Sequence, residues 1–271
     1  MIRLTREVRF SIVDSSGTAE QPDESAVTNS WGGWPSVTSI APWLVFQCTL
    51  KGEIDPASGY LCNIKRIDDA LRDKVISRVS RYRNESFESL LRFAYQEISD
   101  SFPDNCQLES LRLLASPTLD YSISHSDVDM IELTQQFEFS ASHRLHNPKL
   151  TDDQNRELYG KCNNPHGHGH NYVLNVTVTG NPGEKGTVVP LHDLETLVKK
   201  TVIDRMDHRY LNLEVEEFQE TNPSVENIAV VIWDLLESEI DSIPGNESRL
   251  SRVQVYETPK TWAEYRGATE R

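Results

Sequence analysis

The amino-acid sequence predicts an α+β protein made of two ββααββ units, and three observations support this fold class. Segments that alternate apolar and polar residues have the period of half-buried antiparallel strands. Segments with apolar residues at helical spacing have the period of helices that cover one face of a sheet. The same order of segments occurs twice along the chain. We therefore expect two domains, residues 1–130 and residues 131–271.

The first strand of each unit opens the internal repeat. LTREVRFSIVDS (4–15) matches LTQQFEFSASHR (133–144), and both alternate apolar and polar residues. WLVFQCTLKGEIDPASGYLCNIKRIDDALRD (43–73) then parallels YVLNVTVTGNPGEKGTVVPLHDLETLVKK (172–200). Each of these longer segments predicts a strand, a Gly/Pro turn, a second strand and an amphipathic helix.

The second half of each unit follows in the same order. ESLLRFAYQEISD (88–100) and ENIAVVIWDLLESEID (226–241) predict helices, whereas LESLRLLASPTLDYSI (108–123) and LSRVQVYETPKTWAEY (250–265) predict strands. The first helix of the second unit is supported by an apolar stripe at four-residue steps, which consists of Leu194, Val198, Val202 and Met206. Both units should therefore place their helices on one face of a sheet.

Composition and charge restrict the function classes. The formal net charge of -15 disfavours binding to nucleic acid and to anionic membranes, because both repel a negative surface. No apolar run approaches the roughly 18 residues that span a bilayer, and the opening residues MIRLTREVRF alternate instead of forming a signal-peptide core. Four scattered cysteines favour reduced thiols over a disulfide framework. We therefore expect a cytoplasmic protein that binds neither nucleic acid nor membranes.

A dense run of histidines, GKCNNPHGHGHNY (160–172), is the strongest chemical signal. Strand parity places His143 on one face of the opening strand of the second unit, and places His168 and His170 on one face of the next strand. If the two strands are partners, three imidazoles meet, which is the ligand pattern of a catalytic zinc site with one open position. His166 has the same parity and competes for one ligand position.

Four other residues have both a functional and an ordinary interpretation. Cys162 is either a thiolate stabilised by a metal cation or an ordinary thiol. Asp207 and His208 form either an oriented proton-transfer pair or a surface pair. Glu257 has the parity of the apolar residues of its strand and needs a partner, which is either a ligand with N–H donors or a buried arginine.

The first unit differs from the second in its chemistry. All eight histidines follow residue 124, so the first unit cannot build a histidine metal site. Between its first two strands it carries TAEQPDESAVTNSWGGWPS (18–36), where the second unit carries the histidine run. We therefore expect the first unit to be a copy without a metal site.

Five motifs of the second unit occur in the order found in a known enzyme family. They are SASHRL, LYGKCNNPHGHGHNY, DHRYLN, the Ser-x-Glu-Asn helix start and VYET. Residues 133–265, which contain these motifs, resemble the 6-pyruvoyl-tetrahydropterin synthase family, whose relatives include the 6-carboxy-tetrahydropterin synthases of queuosine biosynthesis. The resemblance implies a tandem T-fold, in which antiparallel sheets of several subunits form a barrel with helices outside and active sites between subunits.

The resemblance also implies a role for individual residues. The implied zinc ligands are His143, His168 and His170. The implied catalytic groups are the base Cys162 and a proton relay from a neighbouring subunit, Asp207 and His208. The implied substrate contacts are the pterin anchor Glu257, together with Ser224 and Glu226.

The reaction implied by the resemblance is a zinc-dependent elimination of triphosphate from 7,8-dihydroneopterin triphosphate. In the pyruvoyl-type pattern five residues separate the cysteine from HGH, and in the carboxy-type pattern three do; both spacings occur here, because His166 adds a second HGH. The alternatives are a 6-carboxy-tetrahydropterin synthase and a non-catalytic pterin-binding protein. Three tandem chains would supply six T-fold units, so we expect a homo-oligomer that is a trimer or a multiple of it.

Overall fold

The computed structural model of the protein describes the chain in five stretches, residues 1–12, 33–34, 40–183, 186–243 and 248–268. The insert expected between the first two strands, 18–36, lies outside these stretches except for its residues 33–34. Contacts within the chain divide it into two compact units. The first unit consists of Met1–Leu133 and Asn181–Thr187, and the second consists of Thr134–Gly180 and Val188–Arg271.

The first unit is an antiparallel sheet with two main helices. Its strands are, in spatial order, β1 (Ile2–Ser11), β2 (Trp43–Gly52), β3 (Cys106–Ser116), β4 (Leu119–Ser124) and the first part of β5 (Asp127–His143). Its helices are α1 (Ile64–Lys74) and α2 (Phe87–Ile98), with the 3-10 turn Ile76–Tyr82 between them. Phe10 and Phe46 stack within the core, with ring centroids 5.4 Å apart. Since α1 lies against β1 and α2 against β3 and β4, the helices cover the buried face of the sheet.

The second unit has the same arrangement. Its sheet consists, in spatial order, of the second part of β5, β6 (His168–Gly180), β8 (Arg249–Thr258) and β9 (Thr261–Tyr265), and the short parallel strand β7 (Arg209–Tyr210) pairs with β5. The helices are α3 (Asp152–Tyr159), α4 (Leu191–Val198), α5 (Asp204–Met206), α6 (Leu211–Glu214) and α7 (Val225–Asp241), with 3-10 turns at Gly160–Asn163 and Glu216–Phe218. The predicted α+β class, with antiparallel sheets and helices packed on them, is confirmed.

The helix α7 packs against β8 and β9. Ser224 caps its N-terminus and accepts a hydrogen bond from the backbone N–H of Asn227 at 3.4 Å, which satisfies one of the donors left free at a helix start. The core side of the helix is formed by buried residues at four-residue steps, which are Ile228, Ile232, Leu236 and Ile240. None of the helices in the described stretches is both long enough and apolar enough to cross a membrane.

The predicted apolar stripe at four-residue steps is buried, but the helix that carries it is not uniform. Between α4 and α5 the chain forms a π-helical turn, Lys199–Ile203. Residues four apart drift around an α-helix of about 3.6 residues per turn, and a wider π turn offsets part of that drift. The stripe therefore stays on the core side, and all four members are fully buried, namely Leu194, Val198, Val202 and Met206.

The prediction of a second strand after the Gly/Pro turn of each unit is wrong. The described residues of 53–63 and 181–190 form no strand. Both edges of β2 are occupied, by β1 and β3, and both edges of β6 are occupied, by β5 and β8, so the segment that follows each of these strands cannot pair with it. The apolar residues that predicted these strands pack into the cores instead, and they are Leu61, Cys62, Val188 and Val189.

The two units share an irregularity in strand pairing. The register of β2 with β3 slips after Thr49, and the register of β6 with β8 slips after Thr177. These two threonines occupy the same place in the sequence repeat, so they fix which residues correspond between β2 and β6. By this correspondence, Tyr172 of the second unit is replaced by Leu44 in the first.

A second irregularity also occurs in both units. The register slips at 114–116, where β3 pairs with β4, and at 256–258, where β8 pairs with β9. The residue inside each slip is Ala115 in the first unit and Glu257 in the second. The internal repeat of the sequence is therefore also a repeat of strand register, which is a far more detailed similarity than a shared order of elements.

Candidate metal centre

Four side chains of the second unit converge at the ends of three neighbouring strands. His143 ends β5, His168 and His170 begin β6, and Glu257 lies near the end of β8. One donor atom from each residue lies within 4.8 Å of the others. The strand order β5-β6-β8 brings these four residues together, although 114 positions separate the first from the last in the chain.

The distances within this cluster are short. His143 Nε2 lies 3.2 Å from His168 Nε2 and 3.4 Å from Glu257 Oε1, and His170 Nε2 lies 3.5 Å from the same carboxylate oxygen. His168 Nδ1 and His170 Nε2 are buried and have no hydrogen-bond partner in the described structure. Buried polar atoms rarely remain without a partner. Three imidazoles and a carboxylate beside unpartnered nitrogen atoms form a donor set that fits a divalent metal ion.

The orientation of the His143 ring is fixed by a hydrogen bond to the backbone. Its Nδ1 lies 2.6 Å from the backbone oxygen of Pro223, which can only accept, so Nδ1 carries the proton and donates it. In the neutral ring, Nε2 is then left with its lone pair directed into the cluster. Burial lowers the pKa of His143 to about 4, and burial also lowers the pKa of His170. A neutral imidazole is the form that binds metal ions.

Of the two glycines that flank His168, only Gly167 is required by the backbone. Gly167 has a φ of +73°, and a Cβ atom there would lie 2.9 Å from the Tyr210 ring and 3.0 Å from the oxygen of His143. Gly169 has no such constraint, since its nearest neighbour would be the oxygen of Ala141 at 3.5 Å. Gly167 therefore directs the chain so that His168 enters the cluster. His166, in contrast, is exposed and is not part of it.

Cys162 lies in the 3-10 turn Gly160–Asn163 and is partly exposed. Its backbone oxygen accepts a hydrogen bond from the N–H of Leu145 at 2.9 Å, close to the end of β5. The side-chain oxygen of the buried Asn163 accepts from Arg144 Nε at 3.1 Å and lies 3.1 Å from His146 Nδ1. These contacts hold the Cys162 turn beside the end of the strand that carries His143, outside the four-residue cluster itself.

Asp207 and His208 form a hydrogen-bonded pair. His208 Nδ1 lies 2.8 Å from Asp207 Oδ2, and Asp207 Oδ1 accepts from the backbone N–H of Ser140 at 2.8 Å. The Ser140 hydrogen bond, followed by His208, lowers the pKa of Asp207. His208 has a φ of +57°, an unfavourable value for histidine, and its N–H donates to the oxygen of Ser140 at 2.6 Å. Its ring is exposed and shares with His170 the lining of a cavity of about 530 Å³.

The two remaining predicted contacts lie at the start of α7. The Ser224 side chain is the N-cap, and Glu226 is exposed in the first turn. Sequence reasoning missed Tyr172, whose buried hydroxyl has no hydrogen-bond partner in the described structure and whose ring centroid lies 5.6 Å from that of His170. Its parity with the histidines was the available signal. The hydrogen bond from His143 to the oxygen of Pro223 could not be predicted from the sequence, because this oxygen is a backbone atom.

Comparison with known proteins places these features in a family context. Residues 132–268 match the family model described as 6-pyruvoyl tetrahydropterin synthase. The 6-pyruvoyl tetrahydrobiopterin synthase of Drosophila melanogaster is 41% identical over 136 residues, which are 50% of this chain and 79% of the relative. The 6-carboxy-5,6,7,8-tetrahydropterin synthase of Haemophilus influenzae is 26% identical over 158 residues, covering 50% of this chain and 99% of the relative. A solved structure of 6-pyruvoyl tetrahydropterin synthase from Caenorhabditis elegans is 38% identical, covers 51% of this chain and 96% of its own, and superposes with a TM-score of 0.47.

Proposed function

Because this chain belongs to the 6-pyruvoyl tetrahydropterin synthase family of lyases, we propose that its second unit eliminates triphosphate from 7,8-dihydroneopterin triphosphate in a zinc-dependent reaction. The observation that supports this proposal best is the convergence of His143, His168 and His170 on one point. Zinc bound there would supply Lewis acidity, which polarises the side-chain hydroxyl groups of the substrate and acidifies the adjacent C–H bond.

Cys162 is the base in this proposal. Its turn is attached through the Leu145 hydrogen bond to the chain that follows His143, which holds this turn beside the end of β5. It removes the acidified proton of the substrate, and triphosphate leaves. A positioned base typically contributes about 10² to 10⁴ in rate.

Asp207 and His208 move protons in the later steps. Because Asp207 accepts from Nδ1 of His208, the proton of the neutral ring stays on Nδ1 and Nε2 is free to take up or release a proton. The His208 ring is 82% exposed in the single chain, so it is accessible to the site of a neighbouring subunit. The strained backbone of His208 supports this role, since strain of this kind accumulates at functional sites.

The pterin ring binds beside Glu257. This residue lines a cavity of about 480 Å³ together with Gln136, Asn171, Asn175 and Thr258. The carboxylate accepts from the N–H edge of the ring, and the amides both donate and accept, which suits a heterocycle with both kinds of group. Ser224 and Glu226 complete the substrate contacts in this proposal.

The first unit is a T-fold copy without a metal site, and its role is structural. It has no histidine at the corresponding strand ends, and Ala115 stands where the second unit has Glu257. In the described structure β1 and β9 each have a strand on one side only, so both present an open edge. Open edges favour pairing with another chain. Three tandem chains would close a barrel of six units, with pterin sites only where the second unit supplies the ligands.

The test is to incubate the zinc-loaded protein with 7,8-dihydroneopterin triphosphate and to identify the products by mass spectrometry. We expect the 6-pyruvoyl product and a loss of at least about 10²-fold for Cys162→Ala. Cys106→Ala is the matched control, because Cys106 is also partly exposed but lies in the first unit; it should keep full activity.

Two alternatives have distinct outcomes in the same experiment. A 6-carboxy product with acetaldehyde would identify a 6-carboxy-tetrahydropterin synthase, an alternative favoured by the three-residue spacing between Cys162 and His166. Binding of the substrate without turnover, abolished in Glu257→Ala, would identify a non-catalytic pterin-binding protein.

A further inference from the structure

Glu257 belongs both to the histidine cluster and to the adjoining cavity of about 480 Å³. We propose that its carboxylate is an exchangeable fourth ligand, which occupies the open position of the metal while the cavity is empty and leaves it when a pterin fills the cavity. The exchange half of this inference rests on the proposed function. The ligand half rests only on the geometry of the cluster.

The spacing of the donor atoms supports the ligand half. Four ligands at zinc distances of about 2.0–2.1 Å in a tetrahedron lie about 3.3 Å from one another. His143 Nε2 lies 3.2 Å from His168 Nε2 and 3.4 Å from Glu257 Oε1, and His170 Nε2 lies 3.5 Å from the same oxygen. Glu257 Oε1 therefore lies at the spacing of a fellow ligand from two of the three imidazoles, and all four donor atoms lie within 4.8 Å of one another.

The contact between Glu257 and His143 is not an ordinary hydrogen bond. The proton of the neutral His143 ring is on Nδ1, where it is donated to the oxygen of Pro223. Nε2 and the carboxylate oxygen are then two acceptors that face each other 3.4 Å apart. Such a pair is repulsive in a buried place unless a cation lies between the two atoms. A metal ion bound by both atoms removes the conflict.

The backbone allows Glu257 to point into the cluster. The register of β8 with β9 slips between Tyr256 and Thr258, so Glu257 has no paired residue on β9. Slips of this kind redirect a side chain and occur beside active sites. The first unit has the same slip but carries Ala115 inside it. The strand geometry therefore does not require the carboxylate, which is present only in the unit that has the histidines.

An exchange follows from the needs of a catalytic metal. Catalytic zinc keeps a position for substrate or water, and a protein carboxylate in that position must leave before substrate oxygen can bind. Glu257 borders the cavity in which the pterin is proposed to lie, so N–H groups of a bound ring offer the carboxylate a new partner. Binding of the pterin in the cavity and release of the Glu257 carboxylate from the metal are then coupled. Each of the two events favours the other by the same free energy.

The test uses the full-length protein loaded with Co²⁺, whose visible absorption reports the metal's ligands without any turnover. We expect Glu257→Gln to change the visible spectrum and to weaken Co²⁺ binding by about 10- to 100-fold. Gln136→Ala is the matched control: Gln136 lines the same cavity but lies outside the cluster, so this variant should keep the wild-type spectrum and Co²⁺ affinity. A Glu257→Gln protein with the wild-type spectrum and affinity would overturn the ligand half.

Exchange is tested by adding 7,8-dihydroneopterin to the wild-type Co²⁺ protein. We expect the spectrum to shift as the pterin binds, and a spectrum that stays unchanged at saturating pterin would refute the exchange. The outcomes separate the two proposals, because dependence of the Co²⁺ spectrum on Glu257 supports the ligand role even in a protein that does not convert 7,8-dihydroneopterin triphosphate.

Discussion

Single residues decide which histidines belong to the four-residue cluster. The sequence presented His166, His168 and His170 at the same parity, and parity alone could not rank them. The positive φ of Gly167 turns the chain between the first two of them, so that His166 remains exposed and His168 enters the cluster. Backbone conformation at a turn has no strong signature in a single sequence, so strand parity left this choice open and only the family resemblance favoured His168 and His170 over His166.

We expect His168→Ala to weaken zinc binding by at least about 100-fold, because it removes one of three imidazole ligands. His166→Ala should leave zinc affinity unchanged. Competition of each purified variant with a coloured zinc chelator measures both affinities. Equal losses in the two variants would show that both imidazoles bind the metal and would contradict the cluster described above.

Cys106 of the first unit should react slowly with iodoacetamide at pH 8. Burial raises the pKa of Cys48 to about 12 and that of Cys106 to about 11. A raised thiol pKa leaves less thiolate at a given pH, so at pH 8 Cys106 should react about 100-fold more slowly than a thiol of ordinary pKa, and its rate should rise as pH approaches 11.

Peptide mapping of the alkylated protein by mass spectrometry measures these rates. The chain unfolded in urea is the control, since all four cysteines should then react alike. Cys106 is partly exposed, so access alone does not protect it. If Cys106 in the folded protein reacted as fast as in urea at pH 8, the raised pKa would be refuted.

At the scale of elements, the alternation of apolar residues predicted most strands and the apolar stripes predicted both main helices of the second unit. The prediction of the extra strands was wrong because alternating apolar residues indicate burial and not strand pairing. Leu61 and Val188 are buried, but neither β2 nor β6 has a free edge with which they could pair. The π-helical turn after α4 was not predicted, although it accommodates the strict four-residue spacing of the stripe. Whether a strand edge is free depends on the whole sheet, so a local sequence pattern cannot predict it.

The turn that begins β6 should be sensitive to a single methyl group. Gly167→Ala adds a Cβ atom 2.9 Å from the Tyr210 ring in a backbone conformation that already disfavours alanine. Gly59→Ala is the matched control, because Gly59 has nearly the same φ, +74°, but no atom within 4 Å of an added Cβ.

We expect Gly167→Ala to lower the free energy of unfolding by about 1–2 kcal/mol more than Gly59→Ala, and to weaken zinc binding as His168 shifts. Urea unfolding of the metal-free proteins measures the first effect, and chelator competition measures the second. Similar free energies for the two variants would mean that Tyr210 moves aside at no cost.

For the whole molecule, the sequence repeat predicted two similar units, and the paired register slips make the two correspond residue by residue. Of the candidate site, the sequence identified the ligand types and their approximate place, because strand parity carries that information. It did not predict that Glu257 points at the histidines, since that requires the neighbouring strands β5, β6 and β8 to be known together.

The purified protein should contain one zinc ion per chain, since only the second unit has the histidine cluster. We also expect the assembly to contain three chains or a multiple of three. Native mass spectrometry before and after removal of zinc with a chelator measures both numbers, and zinc removal should leave the number of chains unchanged if the sheet edges hold the assembly. Two zinc ions per chain, or a single chain with full activity, would contradict these expectations.

Because the register slips are shared, the two units can be compared position by position, which separates residues that the sheet requires from residues of the candidate site. Gly52 and Gly180 correspond across the units, and in both places an added Cβ would lie within 3.0 Å of a neighbouring residue, so both copies had to keep the glycine. Tyr172 and Glu257 correspond to Leu44 and Ala115, which the same strands accommodate without rearrangement. Positions that agree between the two units therefore indicate what the sheet requires, whereas the positions of Tyr172 and Glu257 are ones at which the same strands accept another residue.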